Sequence, residues 1–435
     1  MIRSHWTFRV ALAVILVLLA APIFGAGRSE KAAATDEQIT LRFSWWGGET
    51  RHNAYQDMLE LFMERNPNIR VEAEFSGWDG YIDRLRTQMA ANNQPDVFVA
   101  GHDGPWQVLP LGARADIRDF DIDLSAFNDV QLDEITSYDP AGRLTGIPVS
   151  ESVRAGYLIN ATLFDELGIE LPKSDWTWED MAEIAQLVYD RSGGTVHGVL
   201  DESAGISYGS FGRRSWDLAA HGAAISGPDG LTQTAEQLRD TYRWWGALRD
   251  SGAATSAEIS VQADDGANSP IVTRDAAMMS TALGSYSRFQ ANTPDDLKMI
   301  APPDGRYPSD EIGAGISTQI SSQSRHPQAA AALVSFLRND LDAGLIFGTE
   351  NGIPANRHFR EALIEQGLDA GSQVQFDVHN WVVANREVVS FVGPHEAHSE
   401  FSSLQRAEEQ ALAFGRQSIE RTVEKIIEHA RNLGM

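Results

Sequence analysis

Residues 39–100 decide the fold class and read ITLRFSWWGGETRHNAYQDMLELFMERNPNIRVEAEFSGWDGYIDRLRTQMAANNQPDVFVA. Three segments of it have the alternating or continuously apolar pattern of β-strands: Ile39–Trp45, Ile69–Phe75 and Asp96–Ala100. Two segments between them carry apolar residues at helical spacing: His52–Arg65 and Tyr81–Ala91. Strands that alternate with helices predict parallel pairing through right-handed crossovers.

The same alternation of strands and helices continues beyond Gly146 and predicts a second α/β unit. Strands are expected at Val153–Asn160, Ala276–Leu283 and Ile312–Ile320, and a helix at Trp178–Tyr189 with Thr177 as its cap. A chain of 435 residues is too long for one ordinary core and suits two lobes.

The first 27 residues have the features of a signal peptide. Arg3 and Arg9 form a positive region, Val10–Ala21 is apolar, and small residues follow at 25–27. The apolar run is shorter than the roughly 20 residues that a membrane helix needs, although an uncleaved anchor is the alternative. A lipoprotein needs a cysteine just after the apolar region, and this chain has no cysteine. We therefore expect a periplasmic protein that is not tethered to the membrane.

Composition excludes several function classes. The formal net charge of -26 repels phosphate backbones and anionic lipid, which argues against nucleic-acid and peripheral membrane partners. The absence of cysteine excludes disulfides and thiolate metal sites. The sequence predicts no cofactor, no metal and no catalytic residue, and a monomer.

Six segments resemble the extracellular solute-binding proteins of carbohydrate ABC transporters, the group that contains maltodextrin-binding proteins. They are residues 45–100, GIPVSESVRAGYLINATLFDELGIELPKSDWTWEDM (146–181), AAMMSTALGSY (276–286), Ile300–Pro302, SRHPQAAAALVSFL (324–337) and ENGIPANRHF (350–359). Each match is loose, but all six occur in the family's order.

This resemblance implies an α/β fold of the two-lobed periplasmic-binding-protein kind (type II-like). Each lobe would be a mostly parallel sheet flanked by helices, and ligand would be enclosed by hinge closure. The expected N-terminal lobe comprises 38–148 and 296–342, and the C-terminal lobe 149–295 and 343–435. The implied function is capture of an oligosaccharide and its delivery to the permease subunits of an ABC importer, without enzymatic activity.

Aromatic residues next to polar ones at strand ends are the candidate sugar site. A pyranose offers an apolar C–H face to a flat ring and hydroxyls to carboxylates, amides or arginine. Trp46 and Arg51 follow the first strand, and Trp78 with Asp79 follows the second. Adjacent strand residues point to opposite faces, so one of Trp45 and Trp46 belongs to the core, and we favour Trp46 as the free ring.

The resemblance adds Asp103 and Glu151 as acceptors of sugar hydroxyls and Tyr286 as a ring platform. A core position for both Trp45 and Trp46 remains open, and so do helix capping for Asp79 and a turn role for Asp103. Arg213 and its neighbour Arg214 would suit the carboxylates of an acidic ligand such as an oligogalacturonide. Ion pairing within the protein is the alternative for that pair.

Enzyme motifs are weak in this chain. Gly205–Gly209 matches G-x-S-x-G, but glycine-rich loop sequence surrounds it where a nucleophile elbow needs a strand and a helix. His395 and His398 lack the H-E-x-x-H spacing that binds zinc. A glycoside hydrolase is the enzyme alternative, because a pair of carboxylates at catalytic separation is not visible in sequence. Sequence alone identifies neither the sugar nor the permease.

Overall fold

The computed structural model describes residues 38–78, 80–101, 109–206, 211–264, 266–313, 316–390, 395 and 397–435. The strands are β1 (Ile39–Trp46), β2 (Ile69–Ser76), β3 (Val97–Gly101), β4 (Ile147–Pro148), β5 (Ser152–Val153), β6 (Ala155–Asn160), β7 (His197–Val199), β8 (Ser226–Gly227), β9 (Gly230–Leu231), β10 (Ala276–Ala282), β11 (Leu297–Ile300), β12 (Asp310–Gly313), β13 (Ile316–Ile320) and β14 (Val388–Ser390).

The helices are α1 (Glu49–Arg65), α2 (Tyr81–Ala90), α3 (Asp129–Ser137), α4 (Ala161–Glu166), α5 (Trp178–Arg191), α6 (Phe211–His221), α7 (Ala235–Ser251), α8 (Ala257–Gln262), α9 (Pro270–Thr273), α10 (Tyr286–Ala291), α11 (Pro327–Asn339), α12 (Leu341–Phe347), α13 (Arg357–Gln366), α14 (Ala370–Asn385), α15 (His398–Ala413) and α16 (Ile419–Asn432). Short 3₁₀ turns lie at Leu111–Ala113, Ile117–Asp119 and Leu283–Ser285. No helix in these ranges combines the length and apolar character that crossing a membrane requires.

The first sheet has the strand order β2-β1-β3-β13-β4. As predicted, β1 runs parallel to both β2 and β3. Alternate residues of β1 (Leu41, Phe43 and Trp45) are fully buried, and they share one core with apolar residues of α1 and α11. This arrangement brings the carboxyl ends of β1, β2 and β3 to one edge of the sheet, where loops can form a site.

The second sheet has the order β11-β6-β10-β7 and covers a separate set of apolar residues. Here β6 is antiparallel to both β10 and β11, and only β10 with β7 is parallel. In the first sheet β13 is antiparallel to β3 and β4. The sheets are therefore mixed, and the expectation of mostly parallel sheets was wrong. The alternation of apolar and polar residues along a strand shows which face is buried. It does not show whether the neighbouring strand runs parallel or antiparallel.

A small sheet of order β14-β12-β5 is built from connecting segments. Along the chain, β5 comes after β4 of the first sheet and before β6 of the second. Likewise β12 comes after β11 of the second sheet and before β13 of the first. The chain thus passes between the large sheets at least twice through this small one. Leu297–Ile300 pairs in the second sheet, although the predicted boundary placed 296–300 with the first.

Local capping explains where several helices begin. Thr177 Oγ1 accepts a hydrogen bond from the backbone N–H of Asp180, whose carboxylate accepts one from the N–H of Thr177. This reciprocal pair confirms the predicted cap at the start of α5. Thr234 and Gln237 form the same arrangement at α7.

Candidate functional site

An aromatic group lies at the carboxyl edge of the first sheet. Trp46 is the last residue of β1, and Trp78 follows the end of β2 by two residues. Their ring centroids are 5.6 Å apart in an edge-to-face arrangement, and Tyr81 of α2 lies 5.3 Å from Trp46. Trp78 is 45% exposed, whereas Trp46 is 8% exposed. We call Trp46, Trp78 and Tyr81 the aromatic platform.

The pleat of β1 separates the two adjacent tryptophans. Trp45 is fully buried beneath α1 and donates from Nε1 to Nδ1 of His52 at 3.1 Å. Trp46 points to the other face and contacts the rings of the aromatic platform. Alternation placed the two rings on opposite faces, but Trp46 is not the free ring that we favoured, because it is 8% exposed and belongs to the same buried core as Trp45. Trp78 is the ring with open surface.

Tyr81 fixes the platform to the sheet. Its hydroxyl donates to the carbonyl oxygens of Ser44 at 3.0 Å and Val99 at 2.9 Å, so it joins β1 to β3. Burial raises the pKa of Tyr81 far above its ordinary value, which keeps the hydroxyl protonated as a donor.

Arg51 connects the end of β1 to a distant turn. Its Nη1 donates to the carbonyl oxygen of Trp46 at 3.3 Å, and its Nη2 donates to that of Glu350 at 2.6 Å. The side chain folds across Gly47, where an added Cβ would lie 2.7 Å from Cδ of Arg51. Burial lowers the pKa of Arg51 from its ordinary value. Arg51, which we predicted as a ligand-binding residue, is therefore hydrogen-bonded to backbone carbonyl oxygens in two separate segments.

Residues 349–353, which we call the 350 turn, also meet the end of β10. The 3₁₀ turn Leu283–Ser285 follows β10, and a Cβ built on Gly284 would lie 2.9 Å from the backbone nitrogen of Gly352. Only glycine permits this approach of two backbones. The 350 turn thus contacts α1 beside the first sheet and the end of β10 in the second.

Glu151 is hydrogen-bonded to the last residue of the 350 turn. Its backbone N–H donates to the carbonyl oxygen of Ile353 at 2.8 Å. Its carboxylate accepts from Nη1 of Arg360 at 2.7 Å and from Nδ2 of Asn128 at 3.2 Å. Glu151, which we predicted as a sugar ligand, thus lies next to the 350 turn, but its carboxylate is already hydrogen-bonded to donors of the protein.

Tyr286 is placed in the core of the second sheet, apart from the aromatic platform. It is 8% exposed, packs with Phe289 and Met299, and donates its hydroxyl to the carbonyl oxygen of Leu297 at 3.0 Å. Burial raises the pKa of the Tyr286 hydroxyl. This environment does not support the predicted ring platform, because the side chain closes the hydrophobic core beside β11.

Arg213 lies in a buried ion cluster instead of on a ligand-binding loop. It belongs to α6, forms an ion pair with Glu409, approaches Asp217 at 3.2 Å and lies over the ring of Tyr242. Burial is the largest single effect and would lower the pKa of Arg213, but Glu409, Tyr242 and Asp217 together outweigh burial and raise it.

Its neighbour Arg214 donates twice to Glu311, at 2.7 Å each. Helical spacing sends the two arginines to different partners. The structure therefore favours ion pairing within the protein, the alternative that the sequence left open.

Two predicted residues, Asp79 and Asp103, lie outside the described residues. Sequence reasoning did not select Glu350 and Asn351. The turn ENGIPAN was visible, but nothing in the sequence indicates that its residue 350 contacts Arg51, which is 299 positions away. Within the described ranges, no group of three or more His, Cys, Asp or Glu side chains is arranged to hold a metal ion.

Comparisons with known proteins identify a family and a fold for this chain. A family model described as bacterial extracellular solute-binding protein matches residues 46–340. A curated relative, an uncharacterized ABC transporter extracellular-binding protein of Pyrococcus horikoshii, is 23% identical over 158 residues. That alignment covers 35% of this chain and only 35% of the relative's length.

Solved structures of low sequence identity share the fold. A periplasmic oligogalacturonide-binding protein of Yersinia enterocolitica, in complex with saturated digalacturonic acid, is 21% identical with a TM-score of 0.76, covering 91% of this chain and 98% of that one. An ABC substrate-binding protein of Listeria monocytogenes, in complex with cycloalternan, is 20% identical with a TM-score of 0.73, covering 92% and 100%. These matches confirm the predicted two-lobed α/β fold.

Proposed function

The chain belongs to the family of bacterial extracellular solute-binding proteins, and we propose that this member captures an oligosaccharide and delivers it to an ABC importer. The observation that carries the proposal is the aromatic platform at the carboxyl edge of the first sheet. An exposed indole that rests on a second indole offers a rigid apolar surface to the C–H face of a pyranose. The ligands of the Yersinia and Listeria proteins, a digalacturonic acid and cycloalternan, support the same ligand class.

We propose a neutral oligosaccharide over an acidic one. The acidic alternative depended on Arg213 and Arg214, and both guanidinium groups form ion pairs with protein carboxylates. The strongly negative net charge adds a long-range repulsion of anionic ligands. An oligogalacturonide would have to find its cationic partners elsewhere in the protein.

Titration calorimetry with a panel of trisaccharides tests this function. The panel contains maltotriose, cellotriose, xylotriose and mannotriose as neutral sugars and trigalacturonic acid as the charged one. We expect at least one neutral sugar to bind, and Trp78→Ala to weaken that binding at least tenfold through loss of ring contact. Tyr307→Ala removes another exposed ring, at the far end of α6, and should leave affinity unchanged.

Three results would contradict the proposal. Absence of binding to every member of the panel removes oligosaccharide capture. Binding of trigalacturonic acid alone selects the acidic alternative. Release of reducing sugar by the purified protein supports the glycoside hydrolase instead.

The proposal extends to location and partners. Residues 1–27 would direct export and be removed, and the given chain contains no cysteine of the kind that a lipoprotein signal requires. We propose a monomeric periplasmic protein whose partners are the permease subunits of the importer. Mass spectrometry of the protein recovered from the periplasm checks the cleavage, and light scattering checks the monomer.

A further inference from the structure

Polar side-chain atoms of the 350 turn and of the adjacent Arg51 on α1 lack hydrogen-bond partners among the described residues. Asn351 Nδ2 and Arg51 Nε are both buried and unpaired among the described residues. The carboxylate of Glu350 is partly buried and likewise receives no direct hydrogen bond within the described part of the chain. Buried polar groups in proteins are normally paired, so a cluster of unpaired ones requires an explanation.

The unpaired groups are chemically complementary to a sugar diol. Asn351 and Arg51 offer only donors at the unpaired atoms, and Glu350 offers only acceptors when ionised. A hydroxyl group both donates and accepts. Two neighbouring hydroxyls of one pyranose can therefore donate to Glu350 and accept from Asn351 or Arg51. A carboxylate ligand would satisfy the donors but would repel Glu350.

The position of these groups fits a ligand that rests on the aromatic platform. Arg51 is hydrogen-bonded to the carbonyl oxygen of Trp46, so its guanidinium adjoins the platform. Through Gly352 the 350 turn also touches Gly284, at the end of β10. A sugar held here would contact α1 through Arg51, and it would contact the 350 turn, which itself touches the end of β10.

We propose that Glu350 and Asn351, together with Arg51, form a subsite that binds two neighbouring hydroxyls of a neutral pyranose. The inference rests on the proposed function and adds the residues that select the ligand. It also identifies Glu350 as the acceptor that must be ionised for binding.

The charge environment of Glu350 makes the subsite sensitive to pH. Burial raises the pKa of Glu350, Asp369 raises it further, and Arg51 opposes both effects. Among the described residues, Tyr55 on α1 also interacts with Glu350, and Arg288 on α10 interacts with Arg51. Because the ionised carboxylate accepts the hydroxyl protons, affinity should be present above this raised pKa and should be lost as pH falls through it.

Calorimetry with the neutral trisaccharides tests the subsite in the full-length mature protein. We expect Glu350→Gln and Asn351→Asp to weaken binding at least tenfold. The control Glu365→Gln, on the exposed face of α13, should bind as the wild type does. Affinity of the wild type should fall between pH 7 and pH 4, and that fall should be reduced in Glu350→Gln. The unfolding midpoint of each ligand-free variant shows whether the fold is retained.

Each outcome separates this inference from the proposed function. If the wild type binds a trisaccharide and the folded Glu350→Gln and Asn351→Asp variants bind it equally well, the subsite is wrong and the function stands. An unchanged pH profile in Glu350→Gln also overturns the role of its charge. If the wild type binds none of the sugars, the proposed function fails and the subsite fails with it.

Discussion

Tyr286 illustrates how the surroundings of a single residue decide its role. Its place after β10 resembles a sugar-binding position, yet its ring completes the core that β11 covers. The motif is local, whereas the covering strand arrives eleven residues later. The sequence therefore located the aromatic residue but not the residues that bury it. Trp78 has the reverse outcome, because the loop that carries it leaves nearly half of its surface open.

Substitution of Tyr286 should lower stability. Tyr286→Ala removes a buried ring and is expected to cost about 3–5 kcal/mol in the free energy of unfolding. Tyr286→Phe removes only the hydrogen bond to Leu297, for which about 1 kcal/mol is expected. Urea unfolding measures both. Equal stability of Tyr286→Ala and wild type would show that the ring is not part of the core.

Glu202 is a buried carboxylate that holds the start of α6. It accepts from the backbone N–H groups of Gly212 at 2.7 Å and Ser280 at 3.1 Å, and from the Ser280 hydroxyl at 2.5 Å. Burial raises the pKa of Glu202 to about 7, and these hydrogen bonds only partly oppose the rise. The carboxyl group of Glu202 therefore titrates near neutral pH in the folded protein.

The raised pKa predicts a pH-dependent contribution to stability. The folded protein retains the Glu202 proton up to about pH 7, whereas the unfolded chain releases it near its ordinary value of 4.5. The contribution is complete below the unfolded pKa and is lost as pH rises through 7, for a total of about 3 kcal/mol. Urea unfolding from pH 5 to 8 should show this loss in the wild type and not in Glu202→Gln. Identical pH slopes in the two proteins would exclude Glu202 as the source.

At the scale of elements, α6 and α15 are joined by the Arg213 cluster. Glu409 of α15 pairs with Arg213 and also accepts from the Tyr242 hydroxyl at 2.9 Å and from Nε2 of Gln405 at 2.7 Å. The cluster spans three helices and lies away from solvent. Arg213 is the cation that pairs with both Glu409 and Asp217, so both buried carboxylates lose their counter-charge when it is removed.

Removing one partner should destabilise the protein more than removing both. Arg213→Met leaves the carboxylates of Glu409 and Asp217 buried without their cation, and we expect a loss of about 3–5 kcal/mol. The double variant Arg213→Met/Glu409→Gln should recover part of that loss, as measured by urea unfolding. The exposed Arg243→Met, which breaks only surface pairs, is the matched control and should leave the unfolding midpoint unchanged. A double variant as unstable as the sum of the single variants would contradict this coupling.

Several helices and strands could be predicted from periodicity, because each of them buries apolar residues that recur along its own sequence. The helices α1, α2 and α5 end within a few residues of the predicted limits. Strand β11 was missed because its four residues lie beside Pro302–Pro303, which dominate the pattern there. Pairing directions were also missed, because they depend on which distant strand arrives alongside.

For the whole molecule, the family fold followed from six short matches in the correct order. The candidate site was only partly predictable: Trp46, Trp78 and Arg51 lie at or beside one sheet edge, whereas Arg213 and Tyr286 lie in separate interiors. The 350 turn joins this edge through contacts made across about 300 residues of chain. No local pattern encodes such a contact.

Ligand binding should change the dimensions of the whole protein. A sugar that contacts both lobes favours their closed arrangement, so the radius of gyration from small-angle X-ray scattering should fall when a binding trisaccharide is added. Trp78→Ala should show the decrease only at a higher sugar concentration. An unchanged scattering curve at saturating sugar would argue that binding does not close the lobes.

The contact of Gly284 with Gly352 has a consequence for evolution and engineering. Because two main chains touch there without side chains, even the single methyl group of alanine at 284 has to displace the opposite backbone. Such a change alters spacing without altering charge, polarity or ring chemistry. Residue 284 is therefore a steric control point, at which the spacing between the end of β10 and the 350 turn can be changed while the side chains of the proposed subsite keep their identity.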